Sequence, residues 1–591
     1  MNVTSIDWAI IAAFFVISLL IGLYTAKEAG SSAKEFFLSG RNMPWWLLGV
    51  SMVATTFSAD TPNLVTDIVR KNGVAGNWAW WAFLLTGMLT VFVYAKLWRR
   101  SEVTTDLEFY ELRYSGKGAA FLRAFRALYL GVFFNVVIMA TVSLAAIKIG
   151  GIMLGLTPIQ TLLIASVVTV IYSSLGGLKG VLLTDFFQFF IAMIGSFGAA
   201  YFIIDLPEIG SISNLLAHEN VADKLDFLPD FSDPNAYIPL FLMPIAIQWW
   251  ATWYPGAEPG GGGYIAQRML SAKDEKHAIG ATLFFNIAHY AMRPWPWILI
   301  ALASLVVYPT ISDLQTAFPN IPQDKLGDDL AYSAMLTFLP TGMIGIVLAS
   351  LIAAVMSTLS THLNWGSSYI VNDFYLRFLK PEASDKELVA VGRISTVLLM
   401  ALSAVLALAL SSALDAFNIL LQIGAGTGLI FILRWFWWRI NAYTEISAMA
   451  ISFVVAIFFE VINPKQNWIL IPENQAYLKL IYGVSITTIG WLIVTFITAP
   501  EKDEVLLSFY RKVTPAAFGW KKVLDRYPGE KQVIGQLPKE VGLMAIGSVM
   551  IYAALFSTGF FIYGNVMYGF IAAAISAVGG VIILRSWKNL N

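Results

Sequence analysis

The chain has 591 residues, 58% hydrophobic and 13% charged, with a mean hydropathy of +0.69, whereas soluble proteins carry about 25% charged residues. Equal numbers of basic and acidic residues, 38 each, exclude the basic excess of a nucleic-acid binder. The lack of cysteine excludes disulfides, thiol catalysis and Cys-ligated zinc, and four histidines, at 218, 277, 289 and 362, leave little for a metalloenzyme.

A helix crosses the hydrocarbon core with about 20 mostly apolar residues. About fifteen runs qualify, here spans one to fifteen: 7–26, 45–70, 74–98, 120–151, 157–174, 179–203, 237–268, 277–308, 340–378, 385–410, 413–437, 443–463, 477–498, 542–563 and 566–586. They are apolar on every face, unlike the alternating strands of a membrane barrel. Span one is not a cleaved signal peptide, because its first basic residue, Lys27, follows the apolar run. That flank predicts an N-terminus outside. The loops at 204–236 and 309–339 carry one lysine each, Lys224 and Lys325. The 500–540 loop carries Lys502, Arg511, Lys512, Lys521, Lys522, Arg526, Lys531 and Lys539, so it and the C-terminus are predicted to be cytoplasmic.

Two spans cannot be continuous helices. Span two contains Ala54-Thr55-Thr56-Phe57-Ser58-Ala59-Asp60-Thr61-Pro62, in which Pro62 suits the first turn of a new half-helix and Ser58, Asp60 or Thr61 would cap it. Span seven contains two prolines and five glycines within residues 255–263. Broken backbone at membrane depth exposes carbonyls and is tolerated where it lines a cavity. Two breaks five spans apart are what an inverted five-plus-five repeat predicts for a transporter's central site.

On span nine, Ala354, Ser357, Thr358 and Thr361 share one helical face. A hydroxyl stripe in a membrane helix is most often packing glue. Beside the broken carbonyls of span two it becomes a candidate alkali-cation site, since neutral oxygens can replace the ion's water. Asp185, a few residues into span six, is an ionisable group inside the membrane and so a functional candidate, or a helix-end carboxylate facing water. Thr61, Glu258, His289, Arg293, Asn418 and Gln422 are the polar residues that spans two, seven, eight and eleven can direct toward the breaks. Arg293 suits a substrate carboxylate or an internal pair with Glu258 or Asp60. Trp80 and Trp81 could stack on a sugar ring or anchor the interface. The glycines at 424–428 follow no strand and read as helix packing, and His362 and Asn364 lack metal-ligand spacing.

Three segments, Phe36-Phe37-Leu38-Ser39-Gly40-Arg41, Gly176-Gly177-Leu178-Lys179-Gly180-Val181-Leu182-Leu183-Thr184-Asp185-Phe186-Phe187-Gln188 and Gln267-Arg268 with Ala272, make the sequence resemble the sodium/solute symporter family over about residues 5–500. The resemblance implies an all-α integral membrane protein with a LeuT-type five-plus-five inverted repeat, one extra helix before it and about four after. Residues 1–44 would hold the N-terminal extra helix and a cytoplasmic loop. The core would occupy 45–437 (repeats 45–203 and 237–437), and 438–591 the C-terminal helices with the 500–540 loop. It also implies a sodium site made by the carbonyls of Ala54, Phe57 and Ala354 and the hydroxyls of Ser357 and Thr358, with Asp185 near it or holding a second sodium. Gln422 falls where sugar-transporting relatives bind substrate, and Asn418 at their outer gate. Trp78, Thr61 and His289 replace their glutamate, glutamine and lysine.

The expectation is a sodium-coupled symporter that imports a small polar organic solute by alternating access across the inner (plasma) membrane. A sugar is the first expectation and an organic or amino-acid anion the second. Its partners would be the solute, co-transported sodium and the lipid bilayer, with no nucleic acid, and it would act as a monomer and not as an enzyme. A proton-coupled carrier using Asp185 or His289 and a transporter-shaped solute sensor are the rivals.

Overall fold

The computed structural model describes residues 3–56, 58–251, 259–319, 321, 326–410, 424, 426–472, 475–530 and 536–587. Among them regular structure is helical, apart from one isolated parallel bridge between Met43 and Ala272. Eleven helices are long and apolar enough to cross a membrane, and Trp45–Thr56 and Pro158–Ile171 are shorter apolar helices. The fold is that of an all-α integral membrane protein.

Span two is broken where the sequence predicts, into helices Trp45–Thr56 and Asp60–Asn72. The expected side-chain cap of the second half does not form. Ala59 occupies the N-cap position in a right-handed helical conformation, and no side-chain cap forms at that position. A capping side chain needs an extended residue at that position, and here the chain turns in directly. In span seven, Gly260 and Gly261 have φ of +88° and +83°, and helix Gly263–Ser271 follows. These left-handed angles account for glycine at 260 and 261, and Gly263 (φ +54°) adds a third.

Spans five and six form one 47-residue helical run, Pro158–Ile204, interrupted at Gly177 (φ +52°, ψ −156°). A straight helix of that length would reach about 70 Å, more than twice the hydrocarbon core. A Cβ on Gly177 would lie 2.8 Å from the Phe36 carbonyl oxygen, so the Gly-Gly segment fits closely against the Phe36-Phe37 segment.

Helix Met343–Ser368 of span nine packs against Pro158–Ile204 and Ser5–Ala29, and Trp45–Thr56 packs against Glu275–Ile287 of span eight. The C-terminal extension docks on this core. In span fourteen (Leu537–Ile562), Glu540 forms a buried ion pair with Lys96 of span three, and the Tyr552 hydroxyl donates to Trp81 O (2.8 Å). Within 500–540, Trp520 Nε1 donates to Trp435 O (3.0 Å), and the Arg113 guanidinium lies 5.0 Å from the Trp520 ring centre. The segment that sequence reads as a topology signal is thus also a folded cap on the helical core.

Removing one partner of a buried ion pair strands the other charge. Lys96→Met is therefore expected to destabilise the protein by about 3–5 kcal/mol, and Lys96→Met/Glu540→Leu to recover most of the loss, as read by thermal unfolding in detergent.

Candidate functional site

The site grows from the last turn of Trp45–Thr56. A helix ends with carbonyls that have no intrahelical donor, and inside a membrane water cannot supply one. Arg293 of span eight donates to Val53 O (3.2 Å) and Thr56 O (2.9 Å). The Thr358 hydroxyl of span nine lies 2.8 Å from Thr55 O and 3.1 Å from Ala354 O. Ala54 O receives no hydrogen bond from the described residues. A cation at this terminus also complements the negative end of the helix dipole. Ala354 and Thr358 are thereby brought to the end of the helix that carries Ala54. Phe57 lies outside the described residues.

Ser357, one residue before Thr358, donates to Asp185 Oδ1 (2.7 Å), and Ser51 donates to Asp185 Oδ2 (2.5 Å). Arg268 forms an ion pair with the same carboxylate (3.7 Å) and donates to Thr361 Oγ1 (2.8 Å), which lies 2.9 Å from Thr55 Oγ1. Both charged side chains are fully buried. Gln267 donates to Phe37 O (3.1 Å) and Asn364 Oδ1 (2.9 Å). The separate motifs around Phe37, Asp185 and Gln267-Arg268 therefore form one network against the hydroxyl face of span nine. Asp185 is not a carboxylate facing water. Its charge is compensated by Arg268, so the neighbouring oxygens surround a nearly neutral centre.

His289 lies on the other side of Arg293, whose guanidinium donates to His289 Nδ1; the Thr56 hydroxyl is 3.3 Å from the same nitrogen. Arg293 is not paired with Asp60, and its ring neighbour is Trp297 at 5.2 Å. His289 borders a cavity of about 60 Å³ between spans three, seven and eight, with Thr86, Thr90, Tyr264, Thr282 and Asn286. Trp80 lies against His289 (5.6 Å) and stacks on Tyr290 (5.8 Å).

The structure does not bring every candidate substrate residue to this cavity. Trp78 donates from Nε1 to Phe227 O (2.8 Å) and packs on Phe241, Tyr552 and Phe556, while Trp81 packs edge-on against Trp78 and Phe556. Both belong to the aromatic cluster that joins span three to span fourteen. The Thr61 hydroxyl sits 3.5 Å from Thr56 O, beside the break. Glu258, Asn418 and Gln422 lie outside the described residues.

Sequence reasoning missed two contributors. Asp106, in the loop after span three, accepts from Gly263 N (2.9 Å) and from the Tyr369 hydroxyl, and so holds the start of the second half of span seven. Its loop position gave no local signal. Asp60 is half-buried, with Oδ1 lacking a hydrogen-bond partner among the described residues. It was legible as an intramembrane carboxylate but was weighed only as a cap or as an ion-pair partner.

A model of the sodium:solute symporter family matches residues 36–452. The chain is 26% identical to the sodium/glucose cotransporter of Vibrio parahaemolyticus, over 77% of this chain and 85% of that protein. It is also 26% identical to the sodium/myo-inositol cotransporter 2 of Homo sapiens, over 84% of this chain and 78% of the relative. The solved structure of a Na+-coupled sialic acid symporter, substrate-bound and outward-open, superposes with a TM-score of 0.66 at 20% identity, covering 85% of this chain and all of that one. This likeness carries the LeuT-type fold.

Because Arg293 satisfies two carbonyls at the break, Arg293→Gln is expected to cost about 2–3 kcal/mol. Arg293→Lys should recover only part, since an ammonium lacks the planar fork that reaches both oxygens. Thermal unfolding of the three proteins in one detergent reads both effects.

Proposed function

The chain belongs to the sodium:solute symporter family and is a sodium-coupled secondary transporter of a small solute, and from that premise we propose where its cation binds and what it does. Sodium sits between the end of Trp45–Thr56 and span nine, held by the carbonyls of Ala54, Phe57 and Ala354 and the hydroxyls of Ser357 and Thr358. The observation that carries this reading is the Thr358 hydroxyl, which reaches carbonyls of both helices while Ala54 O receives no hydrogen bond from the described residues. An alkali ion is hard and prefers several oxygens, and this set supplies them without a net charge. Asp185 acts from behind the site by orienting Ser357. Both its oxygens are engaged by Ser51 and Ser357, with Arg268 nearby, which favours one sodium per cycle.

The coupling follows from the same geometry. Sodium joins a broken helix to an unbroken one, so its binding stabilises the arrangement in which the solute site is assembled. Separation of the two helices releases it. Solute and sodium must then raise each other's affinity by the same factor. The solute is a neutral sugar or polyol, in keeping with the relatives named for glucose and myo-inositol. The basic residues at 500–540 favour an orientation with that segment and the C-terminus in the cytoplasm and the N-terminus outside, in the plasma (inner) membrane.

Sodium-driven uptake into proteoliposomes tests the site. Thr358→Ala is expected to raise the sodium concentration for half-maximal uptake by about tenfold or more, the cost of one lost charge-assisted contact, while Thr358→Ser stays near wild type. Unchanged sodium dependence in Thr358→Ala would refute the assignment.

A further inference from the structure

The cavity beside His289 extends along spans three and eight away from Trp78, toward the end where Arg100 pairs with Glu275 (2.9 Å) and donates to Thr514 (3.2 Å). In the orientation proposed above, that is the cytoplasmic side. Its far end is built around Asn286, which is fully buried. The amide Nδ2 donates to Thr282 O (2.8 Å), and Oδ1 has no hydrogen-bond partner among the described residues. A buried carbonyl-type oxygen without a donor costs free energy, so its retention needs a reason. Gly87 lies against it, and a Cβ there would stand 1.8 Å from Asn286 Oδ1. The absent side chain on span three is what lets the amide lie where it does.

The rest of this end has one chemical character. The Thr86 hydroxyl donates to Trp249 O, Thr90 to Thr86 O (2.9 Å), and Thr282 to Ala278 O and Ile279 O (3.0 Å each). Each threonine proton is committed to the backbone, leaving oxygen lone pairs as the available function. With Asn286 Oδ1, the lining offers acceptors. Hydroxyl groups, which donate, fit such a lining.

We infer that this cavity is a second station for the solute, on the cytoplasmic side of the helix breaks, where Asn286 accepts hydrogen bonds from the hydroxyls of a neutral polyhydroxy compound on its way out. At about 60 Å³ the cavity has room for several waters, or for the hydroxyl-bearing edge of a solute arriving from the breaks. Asn286 is in this account a solute contact, and Gly87 the residue that positions it. The inference rests on the sodium-coupled, cytoplasmic-C-terminus reading above.

The test uses the full protein in proteoliposomes with D-glucose and myo-inositol as probes, comparing half-saturating concentrations for uptake from the outer face and for efflux from the inner face. Asn286→Ala is expected to raise the inner-face value about tenfold, the worth of one lost hydrogen bond to a desolvated group, and to leave the outer-face value within about twofold. Gly87→Ala should shift the inner-face value in the same direction by displacing the amide. Asn286→Ser should restore it, because a helical serine donates to Thr282 O and keeps an acceptor oxygen, a rescue that a purely structural role would not show. Equal shifts on both faces, no shift, or no rescue by serine would overturn the proposal. Transport of neither probe by a protein that sodium still stabilises would also overturn it. Uptake that ignores the sodium gradient would instead mark failure of the coupling on which it rests.

Discussion

Everything around the centre of this protein follows from one constraint: helix Trp45–Thr56 ends inside the membrane, and its terminal carbonyls must be satisfied without water. Span eight answers with Arg293 on Val53 and Thr56, and span nine with Thr358 on Thr55. Two elements are thereby tied to one helix end, each by bonds that a small rotation would break. The Ala54 carbonyl, which receives no hydrogen bond from the described residues, is where the proposed cation would sit. A continuous helix at span two would satisfy the same groups internally and leave nothing for an ion to join.

The buried charges obey a related economy. Asp185 and Arg268 are both fully enclosed, a condition tolerated only where the charges compensate and remaining polar atoms are bonded. Ser51, Ser357 and Thr361 supply those bonds, and the last two belong to the hydroxyl face of span nine. The ion pair therefore orders the face on which the sodium site is proposed without adding net charge beside it. Gln267 extends the same network to Phe37, and Gly177 closes against Phe36. This explains why motifs far apart in the chain occur together.

The breaks, the hydroxyl face and the intramembrane carboxylate were legible because each is a local violation: prolines, glycines or polar groups where a lipid-spanning helix should be apolar. What the violations face was not legible. Arg293 could be read as a carboxylate binder or an ion-pair partner, but its use as a cap for another helix depends on the packing of spans two and eight. Trp81 fits a sugar-stacking role by type and Trp78 stands in place of a relative's glutamate, and only the docking of span fourteen shows both in an aromatic cluster. Asn286 drew no notice, since one asparagine in an apolar helix is unremarkable until Gly87 is found beneath it. The missing cap at Asp60 has the same origin: residue type permits a cap, while the backbone at Ala59 decides it.

The most direct measurement is the melting temperature of the purified wild-type protein across a sodium series, with potassium replacing sodium at constant ionic strength. A ligand that binds only the folded state stabilises it in proportion to the logarithm of its concentration above its dissociation constant. The account predicts a melting temperature that climbs with sodium and saturates at no low plateau, because the ion ties span two to span nine. An identical rise in potassium, or a flat response to both ions, would contradict a selective cation site at that junction.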